Sequence, residues 1–522
     1  MNTNRTPEVL LTQILNSSTI RKIAVAIVLL GILICFIPSL PPVQNIIFSF
    51  VDENISGKGS GGDFDIRLKS LLSLPFLGLL VCVFLFCCLF SKKIAMFLEN
   101  EKNNSLITAV AIGLNMLLIG FVSVFSYRYG WQWLDSDHSS EMILGKFLAQ
   151  ENVFVSSKWH YSTEIRLIYQ TLFSMPLFKL LGNAGDWALI RALVILFNSI
   201  VLILSYFFMM KQMKVHAKWV AITSLFLIAP ISIEYWNIII FGGFYALFLV
   251  QFFCTIGLFI KLIGCSDSVK KPVIAFVFFT LLSFLLGLQG IRSLLSLFIP
   301  LCITCVYLRF KTQREKIFTV FLGGYGFFIC CVGVAANYLL LFKFKFHSFD
   351  SMHFTDLWVD FFPKLGQCIV SLAGFFGLSG GYFSAHGFYG LSAGSTILSA
   401  AVSVIAIIGT VILFWAVFRL RNKAQTSEHK YLSIFFIVSV LFNIFIFVIA
   451  DESIKLRYFS PFMILYVPFT AILFNDIKAL NYLKCTAVVA GIILFVFGQS
   501  YIQFRCIAGH KVWRQLAFNF IG

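Results

Sequence analysis

Residues 187–210 read WALIRALVILFNSIVLILSYFFMM. Arg191 is the one charged side chain in that run. At about 1.5 Å of rise per residue, a helix of this length crosses the roughly 30 Å hydrocarbon core of a bilayer. Working outward, the same apolar signature recurs over Ile23–Ser39, Leu71–Phe90, Leu106–Tyr127, Trp219–Ile233, Ile238–Leu262, Pro272–Leu288, Leu294–Leu308, Ile317–Phe342, Ile397–Phe418, Leu432–Ile449, Tyr458–Phe474 and Cys485–Tyr501. The expected fold is all-α, a polytopic transmembrane bundle of about thirteen spans forming a single membrane domain over 1–522, with no sizeable water-soluble part. The first run has the length of a signal peptide but lacks a small-residue cleavage site, and Pro38, Pro41 and Pro42 lie at its outer end. It is therefore read as a helix of the mature chain.

Composition agrees. Hydrophobic residues make up 59% of the chain and charged residues 12%, about half the share usual in soluble proteins. Of the 13 Cys, most fall inside apolar runs, where Cys behaves as a small hydrophobe. Cys302 and Cys305 form a CxxC, but without a second pair it is not a zinc motif.

The net charge of +17 is a topology signal. With the N-terminus in the cytoplasm, inside segments hold just over half of the 40 Lys and Arg in roughly a third of the loop length, as the positive-inside rule requires. Arg309–Lys316 and Arg419–Lys430 are the clearest cases, and most Asp and Glu fall outside. This distribution argues against a nucleic-acid footprint. Inside connections are short, whereas Arg128–Asp186 and Lys343–Thr396 are long and lie outside. Long loops in a compact protein usually carry function, which points to chemistry on the outer face.

The first long loop, 128–186, contains WQWLDSDHSSEMILGKFLAQ over residues 131–150. Trp131 and Trp133 suit the membrane interface. Ser139–Gln150 sets Met142, Ile143, Phe147 and Leu144 toward one side at helical spacing, and Thr163–Leu181 is again amphipathic. Both are expected to be helices lying in the interface plane. Asp135 and Asp137 could bind a hard divalent cation such as Mg or Mn, or one could serve as general base toward a hydroxyl. Solvated loop acids, with Asp137 capping the next helix, are the structural alternative.

A cytoplasmic N-terminus, a long first outer loop opening on an acidic pair, interfacial helices after it and many later spans resemble the GT-C superfamily of membrane glycosyltransferases. The segment KWHYSTEIR, 158–166, looks like the corresponding loop in bacterial members. Two features differ from the family pattern: two helices precede the acidic loop instead of one, and the carboxy-terminal soluble domain of some members is missing. The resemblance implies a polyprenyl-phosphate-linked sugar donor, a lipid or glycan acceptor of the cell envelope, and inverting transfer in a bacterial plasma membrane. It implies catalytic roles for Asp135, Asp137 and Glu164, with His160 and Tyr161 beside the substrate.

Ionisable groups at membrane depth suggest function by default. Arg191, Arg292 in GLQGIRSL and Arg457, followed by Tyr458, in KLRYFSPF could hold a donor phosphate and stabilise the leaving group. Snorkelling to the interface is the alternative. Glu234, in SIEYWN, lies at a short outer turn. In the second long loop, 343–396, His347, Asp350, His353, Asp356 and Asp360 include one pair, His353 and Asp356, at a spacing that could share a helix face and a metal. The Gly- and aromatic-rich stretch 374–395 suits a re-entrant or lid segment. A transporter or flippase of lipid-linked oligosaccharide would show charges at mid-membrane on several helices and internal repeats. An envelope polysaccharide polymerase would carry its long loops late in the chain.

Overall fold

In the computed structural model, the residues described are 100–129, 136–159, 161, 168–181, 186–229, 235–264, 272–312, 317–341, 360–366, 368, 383–384, 387–388, 427–449 and 464–476. Contacts divide the chain into Met1–Ile107 with Lys478–Cys506, and Thr108–Ile477 with Ile507–Gly522. Nearly all described residues belong to the second unit.

The described residues are almost all helical. After a 3-10 turn, Glu101–Asn103, come α1 (Asn104–Tyr129), α2 (Ser136–Glu151), α3 (Thr171–Leu181), α4 (Trp187–Gln212), α5 (Ala217–Thr223) and α6 (Leu225–Ile228). A π-helical turn, Trp236–Phe241, leads to α7 (Ala246–Gly264) and α8 (Pro272–Gly287). A second π-helical stretch, Leu294–Phe298, runs into α9 (Ile299–Thr312), followed by α10 (Ile317–Leu341), α11 (Ser427–Ile449) and α12 (Tyr466–Asp476). The described strand content is a two-residue antiparallel ladder of β1 (Phe383–Ser384) and β2 (Gly387–Phe388), within the Gly-rich stretch.

Among the described residues five helices are long and apolar enough to cross a membrane: Glu101–Tyr127, Trp187–Gln212, Ala246–Gly264, Ile317–Leu339 and Glu428–Ile449. Their limits follow local chemistry. Asp186 caps α4, its carboxylate accepting from the Ala188 N–H at 2.8 Å, so the helix begins at the first residue of the apolar run. α7 is the centre of the unit, buried on nearly all faces and packed along α4 and α8. α1, α8 and α10 instead leave one apolar face uncovered: Leu117 is 71% exposed, Ile274 72% and Ile317 73%. Such a face is tolerable against lipid tails but not against water.

Between apolar helices, packing and hydrogen bonds replace the hydrophobic drive. α8 and α10 meet backbone to backbone at Gly287 and Gly333, where a Cβ on either would lie 2.9 Å from the other's Cα. Asn115 of α1 donates to the carbonyls of Ala111 and Ala221, both at 2.8 Å, tying α1 to α5. Tyr206 of α4 bonds Thr223 at 2.7 Å. At the connection from α4 to α5, the His429 Nε2–H donates to the Met213 carbonyl at 2.7 Å. Beside it, Lys214 (φ 58°) pairs with Glu428 at 3.0 Å.

The structure amends several expectations. Ile238–Leu262 is not one continuous span: its first part is the π turn, and the chain breaks at Gly242–Gly243 before α7, with Gly243 at φ 63°. In Trp219–Ile233 the described residues form two short pieces separated at Ser224. The first part of Leu294–Leu308 is π-helical. Cys302 and Cys305 face Gly323 of α10, the Cys302 thiol donating to the Gly323 carbonyl at 3.3 Å, which makes them small packing residues. The runs Ile23–Ser39, Leu71–Phe90, Ile397–Phe418 and Cys485–Tyr501 lie outside the described residues.

Candidate functional site

α2 begins within the acidic pair. It starts at Ser136, so Asp137 falls in its first turn rather than at its cap, and Asp135 just precedes it, outside the described residues. The buried face of α2 carries His138, Met142, Leu144 and Leu148, whereas Ile143 is 47% exposed. The expected grouping of Ile143 with Met142 is therefore corrected: helical spacing alone could not tell which of two adjacent apolar residues meets α3. α3 answers with Thr171, Ser174, Met175 and Phe178, spaced along one stripe. The two helices come close because a Cβ on Gly145 would overlap Ser174 Oγ.

His138 leads to the centre of the site. Its Nε2–H donates to the Asn237 carbonyl at 3.1 Å, and its ring lies 5.1 Å from Phe241 and 5.0 Å from Phe244. The first turn of α2 is thereby seated on the π turn that precedes α7. Tyr169 stacks on Phe244 at 6.1 Å, and Trp236 on Phe241 at 5.7 Å.

Two arginines reach the same turn. Arg191, one turn into α4, is 3% exposed. Its guanidinium lies 4.7 Å from the Phe241 ring centre, and Nη1 donates to Gln170 Oε1 at 3.0 Å. This side chain does not snorkel to water; its charge is held inside, on a ring face that attracts cations. Arg292, half-buried, stacks 4.9 Å from the ring centre of Tyr245, in the turn that joins the π segment to α7. Nearby, Gln289 donates to Gln251 at 2.7 Å, both buried.

Two buried amides complete the cluster. Gln170 and Asn198 are each 1% exposed. Gly243 fits between them: a Cβ there would stand 2.8 Å from Asn198 Nδ2 and 3.5 Å from Gln170 Oε1. The positive φ and the close amide together require glycine. Neither amide was singled out from the sequence, although Asn198 in VILFNSIV is a polar residue in an apolar span, which is itself a signal. His138, beside Asp137, was passed over in favour of the acids.

Tyr161 is buried among Leu144, Leu148 and Met175. Its hydroxyl accepts from the Ser156 N–H at 3.1 Å, tying Tyr161 to the turn that follows α2. Burial raises its pKa, the Ser156 bond opposes the rise and the Glu141 charge adds to it.

The structure thus gathers the α2 first turn with Asp137, Arg191 and Arg292 around one turn, and sets Tyr161 in the packing below. Asp135, His160, Glu164, Glu234, Arg457 and Tyr458 lie outside the described residues, as do His347, Asp350, His353 and Asp356. Among the described residues no group of three or more His, Cys, Asp or Glu could hold a metal ion. No protein-family model, no curated protein and no solved structure matches the chain.

Proposed function

We propose that the protein is a membrane glycosyltransferase of GT-C type, moving a sugar from a polyprenyl-phosphate donor to a lipid or glycan acceptor. On this reading it crosses a bacterial plasma membrane about thirteen times, with a cytoplasmic N-terminus and the site on the outer face. Asp135 or Asp137 removes the proton of the acceptor hydroxyl as it attacks the anomeric carbon, and the lipid phosphate leaves. Glu164, His160, Glu234, Arg457 and Tyr458 complete the substrate contacts, with Mg or Mn as a candidate cation for the two aspartates to hold.

The observation that carries the reading is the pair of arginines. Arg191 stacks on Phe241 at the end of the π turn and Arg292 on Tyr245 in the link from it to α7, and the helix that holds Asp137 is seated on this π turn through His138. A fixed cation in a site shielded from water is the arrangement that stabilises charge developing on a leaving phosphate.

The test is transfer of labelled sugar from polyprenyl-phosphate donors in membranes holding the wild type, Asp135→Asn or Asp137→Asn. Transfer by the wild type and a loss of about 100-fold or more in one variant, at equal expression, is the expected result for removal of a general base. No transfer across a broad donor panel, or full activity in both variants, would overturn it in favour of a transporter of lipid-linked sugars.

A further inference from the structure

Gln170 and Asn198 stand out among the buried side chains. Gln170 Oε1 is committed to Arg191 Nη1 at 3.0 Å. Among the described residues Gln170 Nε2, Asn198 Nδ2 and Asn198 Oδ1 have no hydrogen-bond partner, though each residue is 1% exposed. Folded proteins rarely leave buried amide atoms unsatisfied, because each has given up its bonds to water. Three such atoms lie on the two amides that flank Gly243, one of which holds a buried guanidinium; a polar group of a ligand would supply the missing bonds.

The backbone holds Gln170 in place. Its carbonyl accepts from the N–H groups of Phe173 and Ser174, both at 3.0 Å, so it opens α3. The Gln170 amide oxygen is therefore presented from a helix start to a guanidinium whose face is fixed on Phe241. A carboxylate at this position would make the same contact with more strength, but it would add a negative charge next to the cation. The amide orients Arg191 without doing so.

Resting on the glycosyltransferase reading, we infer that Gln170 is a positioning residue, which aims Arg191 at a phosphate-type anion, and that the amide N–H groups of Gln170 and Asn198 donate to the oxygens of that anion. The site takes the phosphate of a lipid-linked donor. Gln170 thus orients Arg191 through its amide oxygen and touches the anion through its amide N–H, and takes no part in proton transfer.

The test uses the purified full-length chain in detergent, titrated with polyprenyl monophosphate and, in a parallel arm, with inorganic phosphate. Tryptophan emission reports binding, since Trp236 stacks on Phe241 beside Arg191. A glutamate side chain has the shape of a glutamine, so Gln170→Glu keeps the Arg191 contact. The expected result is a Tm equal to or above that of the wild type, with affinity for the lipid phosphate reduced about ten-fold or more, as a charge set against a bound anion requires. Asn198→Leu is expected to weaken the same binding, and weakening in the inorganic phosphate arm alone would assign the site to free phosphate and overturn the lipid assignment. Gln170→Glu binding as well as the wild type, or losing affinity only in step with a fallen Tm, would overturn the positioning role while leaving the glycosyltransferase reading intact. A wild type that binds neither probe overturns both.

Discussion

Single side chains show how far residue types alone could be read. Arg191 was legible because a charge inside an apolar run is conspicuous. Its partners were not: Gln170 is distant in sequence, and only the return of the chain through α3 brings its amide to the guanidinium. Tyr161 was legible as part of a motif but its burial was not, since that depends on α2 and α3 closing over it. The raised pKa of Tyr161 has a consequence with a definite sign. The folded state favours the neutral phenol, so its contribution to stability is full below the ordinary value near 10 and is lost as pH rises through and beyond it. Tyr161→Phe removes the acceptor for the Ser156 N–H and is expected to cost about 1 kcal/mol at about pH 8. Above about pH 10 the variant should regain ground on the wild type. Chemical denaturation of both at about pH 8 and about pH 10.5 measures this, and parallel curves would show that Tyr161 titrates as an ordinary phenol.

Among elements, the long apolar helices were legible nearly to the residue. The expected Trp187–Met210 and Ile317–Phe342 became α4, Trp187–Gln212, and α10, Ile317–Leu341. Hydropathy reports length and polarity, and these helices have little else to specify. It was silent on the break at Gly242–Gly243, because an apolar run with two glycines reads the same whether it bends or continues. It was also silent on close approach. Gly333 and Gly145 both sit where a side chain would clash, but against different neighbours. A methyl on Gly333 meets backbone atoms of Phe284 and Gly287, whereas one on Gly145 meets first the end of the Ser174 side chain. Backbone cannot yield without moving a helix, while a serine hydroxyl can turn to another rotamer. Gly333→Ala is therefore expected to cost about 2–3 kcal/mol, and Gly145→Ala under about 1. Thermal unfolding in detergent ranks them, and the reverse order would show that α8 and α10 slide apart more easily than α2 and α3.

At the scale of the whole molecule, the membrane character follows from composition and is carried, among the described residues, by five long apolar helices. The orientation is an expectation from loop charge. Ser157 is exposed in the first long loop, and Lys211 is exposed at the opposite end of α4. Ser157→Cys is expected to react with an impermeant maleimide in intact cells. Lys211→Cys is expected to react only after permeabilisation. Both reacting from the same side would rule out α4 as a span, and the reverse pattern would invert the topology and move the site to the cytoplasm. Either orientation leaves the clustering of Arg191, Arg292 and the α2 first turn unchanged, since that is set by packing within the unit.

The π turn at Trp236–Phe241 makes this stretch sensitive to counting. Such a turn holds one residue more than the α turn it replaces, and each residue swings a helix by about 100°. Losing a position ahead of Phe241 in this turn would leave hydropathy and charge almost untouched, yet would shift Phe241 relative to Arg191. Along most of this chain the apolar letters are interchangeable; here an in-frame deletion of one codon would be felt more than most substitutions.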